Sequence, residues 1–286
     1  MSQPCGILVG VDGSPSSTAA VDWAARTAVL HNLPLHLVCV LAPPQVMTFP
    51  ETPMPAGYAE WQRNEAELRL SEAVEAAAVH TARVESQIVE GSTVATLVGM
   101  SGDADRLVVG SRGQGLLLRS LLGSVSASVI RHAHCPVVVV REDHPHRDDA
   151  PVVVGIDGSP VSEQASAAAF EEASLRGVEL VAVYAWHDTG LLGFPGTDMA
   201  EMASAGELAL AERLAGWRER YPDVTVRRVV VGDHPAHQLI EQSAHAQLVV
   251  VGSHGRGGFV GMLAGSVSMA VVQAAHAPVM VVRPTV

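Results

Sequence analysis

Two aspartates and two glycine-rich loops are the residues of this chain best suited to chemistry. Asp12 lies in GILVGVDGSPSS (6–17) and Asp157 in VVVGIDGSPVS (152–162), each closing a short apolar run. The loops are GSRGQGLLLRSLLGSVS (110–126) and GSHGRGGFVGMLAGSVS (252–268); both read G-x-x-G, nine residues, then G-S-x-S. Glycine lets backbone approach a ligand closely. Successive backbone N–H groups in such a loop form an anion-binding concavity. Ser124 and Ser126, and likewise Ser266 and Ser268, stand where a helix opens, and a helix N-terminus with hydroxyls beside it attracts phosphate. The chemistry implied is the holding of a polyphosphate, with an acidic group nearby to accept hydrogen bonds from a sugar or base. The plainer alternatives are that the aspartates cap the following helices and the glycines make ordinary turns.

The elements that must position these residues also come in duplicate. HAHCPVVVVR (132–141) is echoed by QAAHAPVMVVR (273–283). Few copies at a long period mean two similar domains in tandem. Asp12 answers Asp157 and Val38 answers Val183 at one offset, whereas Gly110 answers Gly252 three residues sooner. The length difference falls between 40 and 83, where copy one reads APPQVMTFPETPMPAGY, a loop composition. In copy one, strands are predicted over 6–12, 33–40, 82–91, 105–110 and 135–140, and helices over 15–31, 57–82, 92–102 and 124–133. Copy two repeats the order: strands 152–157, 178–185, 224–231, 247–252 and 278–282, helices 160–176, 199–220, 235–245 and 266–275. Ser14-Pro15 reads as a helix start, a capping hydroxyl followed by proline in the first turn. Valine-rich runs alternating with helices imply a parallel sheet covered on both faces. The expected fold is α/β: two tandem, doubly wound, five-stranded, mostly parallel sheet domains of Rossmann-like type. They span 1–142 and 151–286, joined by a charged linker at 143–150.

Composition removes several function classes. The net charge of −12 argues against nucleic acid and anionic membranes as partners. All 18 basic residues are arginine, which excludes a P-loop lysine, a kinase strand lysine or a lysine Schiff base. No run reaches the ~18 apolar residues of a membrane span. The opening MSQPCGILVGVD has no basic segment, so no secretory signal is expected. Cys5, Cys39 and Cys135 form no C-x-x-C pair and read as buried, reduced thiols of a cytoplasmic protein.

The paired V-G-[VI]-D-G-S starts, the G-x2-G-x9-G-S-x-S loops and the final [CA]-P-V-x-V strands resemble the universal stress protein family, in its ATP-binding, tandem-domain form. The resemblance covers nearly the whole chain. It implies ATP, with Mg²⁺, at one site per domain. By that resemblance Gly10 and Asp12 contact the nucleoside and Val40 lies near adenine. Gly110, Ser111, Arg112, Gly113, Gln114 and Gly115 form the phosphate loop, and Gly123, Ser124, Val125 and Ser126 the helix start. In copy two the same roles fall to Gly155 and Asp157, to Ala185 near adenine, and to the loop Gly252, Ser253, His254, Gly255, Arg256, Gly257 and Gly258. Gly265, Ser266, Val267 and Ser268 complete the second site. His254 departs from Arg112, putting a histidine where the first copy has an always-charged arginine, so the two sites are expected to differ.

HAHC (132–135), the HPH of the linker, and His234 with His237 lack a zinc-ligand spacing, so no metal site is expected. No nucleophile elbow, HExxH or catalytic dyad is recognisable, and the chain is expected to bind ATP as a regulatory or structural ligand in stress or growth control. A slow ATPase or phosphoryl-transfer enzyme is one alternative, and a scaffold without nucleotide another. Pairing of the last strands, 136–140 and 278–282, would make an intramolecular pseudo-dimer by hiding two apolar edges; a homodimer and protein partners of unknown identity are further expectations.

Overall fold

The computed structural model describes residues 6–43, 57–81, 83–113, 122–144, 147–185, 199–232, 234–255 and 265–284. The chain divides into two compact units, Met1–Glu142 and Asp143–Val286.

The first unit runs β1 (Ile7–Gly10), α1 (Pro15–Leu30), β2 (Leu35–Leu41), α2 (Tyr58–Ala78), β3 (Val84–Glu90), α3 (Thr93–Met100), β4 (Arg106–Gly110), α4 (Ser124–His132) and β5 (Val137–Val140). Its strands lie in the order β3-β2-β1-β4-β5 and every pair is parallel. The chain leaves β1 toward one edge and returns to β4 on its other side. The topological switch point therefore lies between β1 and β4, and a crevice opens there beyond the carboxyl ends of the strands. Helices α1 and α2 pack together, as do α3 and α4. Ile7, Val9, Leu107, Val108, Val137 and Val138 are fully buried, as strands covered on both faces require. β3 lies at one edge of the order, and its exposed, partly alternating residues match that position. The one polar interruption of β2, His36, faces Glu85 of β3 across 3.3 Å.

The second unit repeats the plan: β6 (Val152–Gly155), α5 (Pro160–Arg176), β7 (Leu180–Ala185), α6 (Met199–Arg220), β8 (Val226–Val231), α7 (Pro235–Ser243), β9 (Leu248–Gly252), α8 (Ser266–Ala274) and β10 (Val279–Val282). Its order is β8-β7-β6-β9-β10, again all parallel. Fully buried Phe170 of α5 stacks on Trp217 of α6, with ring centroids 5.9 Å apart.

Local signals set the element ends. Ser14 and Ser159 cap α1 and α5, each accepting an N–H three residues on, with proline in the first turn. Gly177 stops α5 in the left-handed region, and Asn32 (φ 53°) follows the end of α1. The second helix is predicted to reach 82 but ends at Ala78, before two turn residues lead to β3. Residues 147–150 are tied to the second unit: Gln247 donates to the carbonyls of Asp148 (2.9 Å) and Ala150 (2.6 Å). No helix among the described residues is long and apolar enough to cross a membrane.

Candidate functional site

Each unit builds the same arrangement at the carboxyl edge of its sheet. After β1 the chain turns at Asp12, whose Oδ1 accepts the Ser14 N–H at 2.9 Å. The Asp12 N–H donates to Ser17 Oγ at 3.2 Å, and the Ser17 N–H to Ser14 Oγ at 3.2 Å. The second unit matches bond for bond: Ser159 N–H to Asp157 Oδ1 (2.9 Å), Asp157 N–H to Ser162 Oγ (3.1 Å), Ser162 N–H to Ser159 Oγ (3.2 Å). Gly13 and Gly158 make these turns at φ of 78° and 77°, which a side chain would strain. One carboxylate oxygen thus holds the turn before each helix, while the cap itself is the Ser14 or Ser159 hydroxyl.

The other oxygen looks across to the glycine loop. A Cβ built on Gly113 would lie 2.6 Å from Asp12 Oδ2, and one on Gly255 would lie 2.5 Å from Asp157 Oδ2. Glycine is needed here for close approach. The fold brings together an aspartate and a glycine about a hundred residues apart in sequence, and does so in both units.

The loop ends are closed on each other. Ser111 donates its N–H to Val140 and accepts from the Gly123 N–H, both at 2.7 Å; Ser253 does the same with Val282 (2.7 Å) and Gly265 (2.6 Å). Gly123 and Gly265 therefore set the starts of α4 and α8 beside the ends of β4 and β9. Neither helix has a side-chain cap from its N-cap residue. This contrasts with α1 and α5, which are capped internally. Helices α3 and α7 also start without a side-chain cap at this edge; those of α4 and α8 are the ones whose first-turn N–H groups open directly from the glycine loop, where an external acceptor can reach them.

The two serines of each G-S-x-S separate in role. Ser124 and Ser266 are exposed, whereas Ser126 and Ser268 are 4% and 3% exposed. Ser126 donates to the Gly110 carbonyl at 2.7 Å, and Ser268 to the carbonyls of Gly265 (2.9 Å) and Ser253 (3.3 Å). The second serine is a clasp between helix and strand end. Val125 and Val267 are half-buried between the serines.

Gly10 and Gly155 have a packing reason to be glycine: their absent Cβ atoms leave room for Leu97 (3.2 Å) and Leu239 (3.0 Å) of α3 and α7. Gly110 and Gly252 are needed where β4 and β9 touch the first turns of α1 and α5. Val40 and Ala185 lie in β2 and β7, opposite Val89 and Val231, half-buried near the carboxyl edge. β1 pairs Gly10 with Val38, and that register carries Asp12 to the level of Val40. His254 Nδ1 lies 2.9 Å from Ser253 Oγ. Gln114, Gly115, Arg256, Gly257 and Gly258 lie outside the described residues.

Sequence reasoning missed Ser17 and Ser162, which accept the aspartate N–H groups, and Ser16, which reaches the loop. The shared D-G-S-P-x-S of the two copies is the signal that singles out the first two.

Behind the Asp12 turn, a cavity of about 120 Å³ lies between α1 and α2, lined by Val11, Gly13, Ser17, Thr18, Arg69 and Glu72 among others. No loop glycine lines it. Among the described residues no group of three or more His, Cys, Asp or Glu is placed to hold a metal ion. Cys39 and Cys135 are buried free thiols. Burial raises the pKa of both, that of Cys135 to about 12 with help from Asp105; for Cys39, Arg69 acts in the opposite sense.

The model of the universal stress protein family matches residues 6–141 and 150–283. A universal stress protein of Mycobacterium tuberculosis (strain ATCC 25618 / H37Rv) is 52% identical over 286 residues, covering 97% of both chains. One of Mycolicibacterium smegmatis is 50% identical, covering 98% of this chain and 97% of its own. The crystal structure of a universal stress protein from Archaeoglobus fulgidus DSM 4304 has the same fold, with a TM-score of 0.74 over 99% of both chains at 19% identity. Two matched domains and half-identical relatives along nearly the full length agree with the duplicated crevice, and the chain belongs to the universal stress protein family.

Proposed function

We propose that each domain binds one ATP, with Mg²⁺, and that the nucleotide is a regulatory or structural ligand of a protein acting in stress or growth control. The observation that carries this reading is the duplicated meeting of an aspartate carboxylate, a close-packed glycine and a helix start without a side-chain cap, in one crevice at the switch point. The helix start and loop N–H groups suit phosphate oxygens. The carboxylate edge suits hydroxyl or amino donors of a nucleoside. The described part of each crevice offers one carboxylate, so Mg²⁺ would enter with the nucleotide and be held by phosphate oxygens and water; such partial coordination by protein is usual for this ion. Hydrolysis would need a base that positions water and groups that neutralise charge on the transferred phosphoryl. Asp12 and Asp157 are each committed on one oxygen to the turn, which favours holding over turnover.

The test is to denature the purified protein and to identify and count the released small molecules by mass spectrometry. About two ATP per chain is the expected result. A protein that releases none and takes up none from added Mg-ATP refutes the reading. Labelled ATP that returns as ADP within hours would favour the slow ATPase.

A further inference from the structure

The cavity of about 120 Å³ at the seam of α1 and α2 has room for about four waters. Its lining mixes charge, hydroxyl and apolar surface: Arg69 and Glu72 of α2, Ser17 and Thr18 of α1, with Val21 and Ala73. Among the described residues no ion pair joins Arg69 to Glu72, and Arg69 approaches Glu65 only loosely, at 3.6 Å. Ser17 is 3% exposed; its hydroxyl accepts the Asp12 N–H yet donates to no acceptor among the described residues. A buried hydroxyl proton without an acceptor is costly and points to a group that would take it. The second domain closes the same seam with its own side chains. Arg69 and Arg213 each precede a buried leucine of the second helix, Leu70 and Leu214. Arg213 reaches Glu163 of α5 at 3.1 Å, and Phe170 stacks on Trp217 across the seam. At the corresponding positions the first domain has Thr18 for Glu163, Ala25 for Phe170 and Ala73 for Trp217. It keeps the cation but lacks both the carboxylate that pairs with it across the seam and the aromatic bulk that fills the space.

We infer that this cavity binds a small zwitterion, an α-amino acid of about alanine size, at a site distinct from the nucleotide crevice. The ligand's carboxylate stands in for Glu163: it accepts from the Arg69 guanidinium and the Ser17 hydroxyl, and the ligand's ammonium answers Glu72. A simple anion would leave Glu72 uncompensated and a simple cation would leave Arg69 so, whereas the zwitterion serves both. The volume admits a methyl side chain and little more. Ser17 ties the site to the crevice. A ligand that takes its proton polarises the hydroxyl and strengthens the bond it accepts from Asp12. Occupancy then stiffens the Asp12 turn and tightens nucleotide binding in the first domain; this coupling, unlike the site itself, rests on the nucleotide reading above.

The test uses the full-length chain, labelled with ¹⁵N and titrated with L-alanine. It is read at the amide of Gly13, which lines the cavity, and at that of Gly158, its counterpart in the second domain. Gly13 should shift saturably and Gly158 should not. Acetate and methylammonium, each carrying one of the two charges, should need about tenfold higher concentration or more, the scale of one hydrogen bond to a charged group. T18E, which supplies the carboxylate that the second domain has at Glu163, should pair with Arg69 and weaken L-alanine about tenfold or more without lowering Tm; R69M should weaken it likewise. With L-alanine bound, the Mg-ATP midpoint read at Gly113 should fall several-fold while that at Gly255 stays. No saturable shift at Gly13, equal shifts at both glycines, acetate as potent as L-alanine, or full binding retained by both T18E and R69M each overturns the inference. An L-alanine shift with an unmoved Mg-ATP midpoint overturns the coupling alone. A chain that binds L-alanine at Gly13 but responds to Mg-ATP at neither loop overturns the nucleotide reading and leaves the cavity site standing.

Discussion

Replacing Gly113 with alanine sets a methyl group 2.6 Å from Asp12 Oδ2. Carbon and oxygen pack comfortably at about 3.5 Å, so one partner must move by roughly 0.9 Å. The carboxylate cannot simply turn aside, because its Oδ1 holds the Ser14 N–H at the start of α1. Releasing that bond to a charged group costs about 1.5–3 kcal/mol, and keeping it while overpacking costs about 1–3 kcal/mol. Gly113 is not among the glycines with positive φ, so no backbone strain is added. The expected loss is thus about 1–3 kcal/mol, or roughly 3–10 °C in Tm for a domain of this size. Because the clash needs the carboxylate, it should vanish without it. In an Asp12→Ala background, Gly113→Ala should cost at least about 1 kcal/mol less, the size of coupling seen between residues in contact. Urea unfolding of the full chain measures the four corners of this cycle, with amide exchange in β1 and β4 assigning the loss to the first domain. Additive effects of the two substitutions would refute the contact. So would a Gly113→Ala protein as stable as the parent and still loaded with nucleotide in its first domain.

Other consequences follow from the same geometry. Ser126→Ala, which removes a buried clasp onto Gly110, should cost about 1 kcal/mol in thermal melts. Ser124→Ala, exposed two positions before it, should melt within about 0.5 kcal/mol of the parent yet bind Mg-ATP several-fold more weakly in calorimetric titration; the opposite ranking would mean the serine roles are reversed. Arg176→Met takes the guanidinium from the buried carboxylate of Glu172, whose Oε2 lies 2.9 Å from both Arg176 Nε and Nη2, and from Gln247 Oε1 at 3.0 Å, and should lower stability by about 3–5 kcal/mol in urea, with Glu172→Gln added to it recovering part. Cys135 ionises at about 12 in the fold against an ordinary 9.0. Its folded pKa is raised, so its stabilisation is complete below pH 9 and is lost as pH rises toward 12, because the unfolded chain releases this proton first. The loss approaches about 1.4 kcal/mol per pH unit in that window. Alkaline unfolding curves of the parent and Cys135→Ala should diverge there, and parallel curves would discount the thiol.

Much of this protein was legible without coordinates because the signals are local or repeated. Valine runs broken by helical segments specify buried parallel strands, Ser-Pro marks the starts of α1 and α5, and the internal echo separates two domains. The glycine spacing and the aspartates were visible for the same reason, since each recurs in the same context. What the linear pattern does not contain is which partners meet across the fold. Gly10 and Gly155 read as ligand contacts, but their missing Cβ atoms also make room for Leu97 and Leu239. The second serine of each G-S-x-S reads as part of the phosphate site, and only the structure shows that its hydroxyl also clasps a backbone carbonyl. Ser16 looks like an ordinary first-turn residue, yet it bonds a carbonyl 96 positions away. Periodicity and capping act over a few residues, so sequence alone resolves them. The contact of Asp12 with Gly113 arises because β1 and β4 are neighbours at the switch point and both chains turn at the same edge; only the packed sheet brings those turns together.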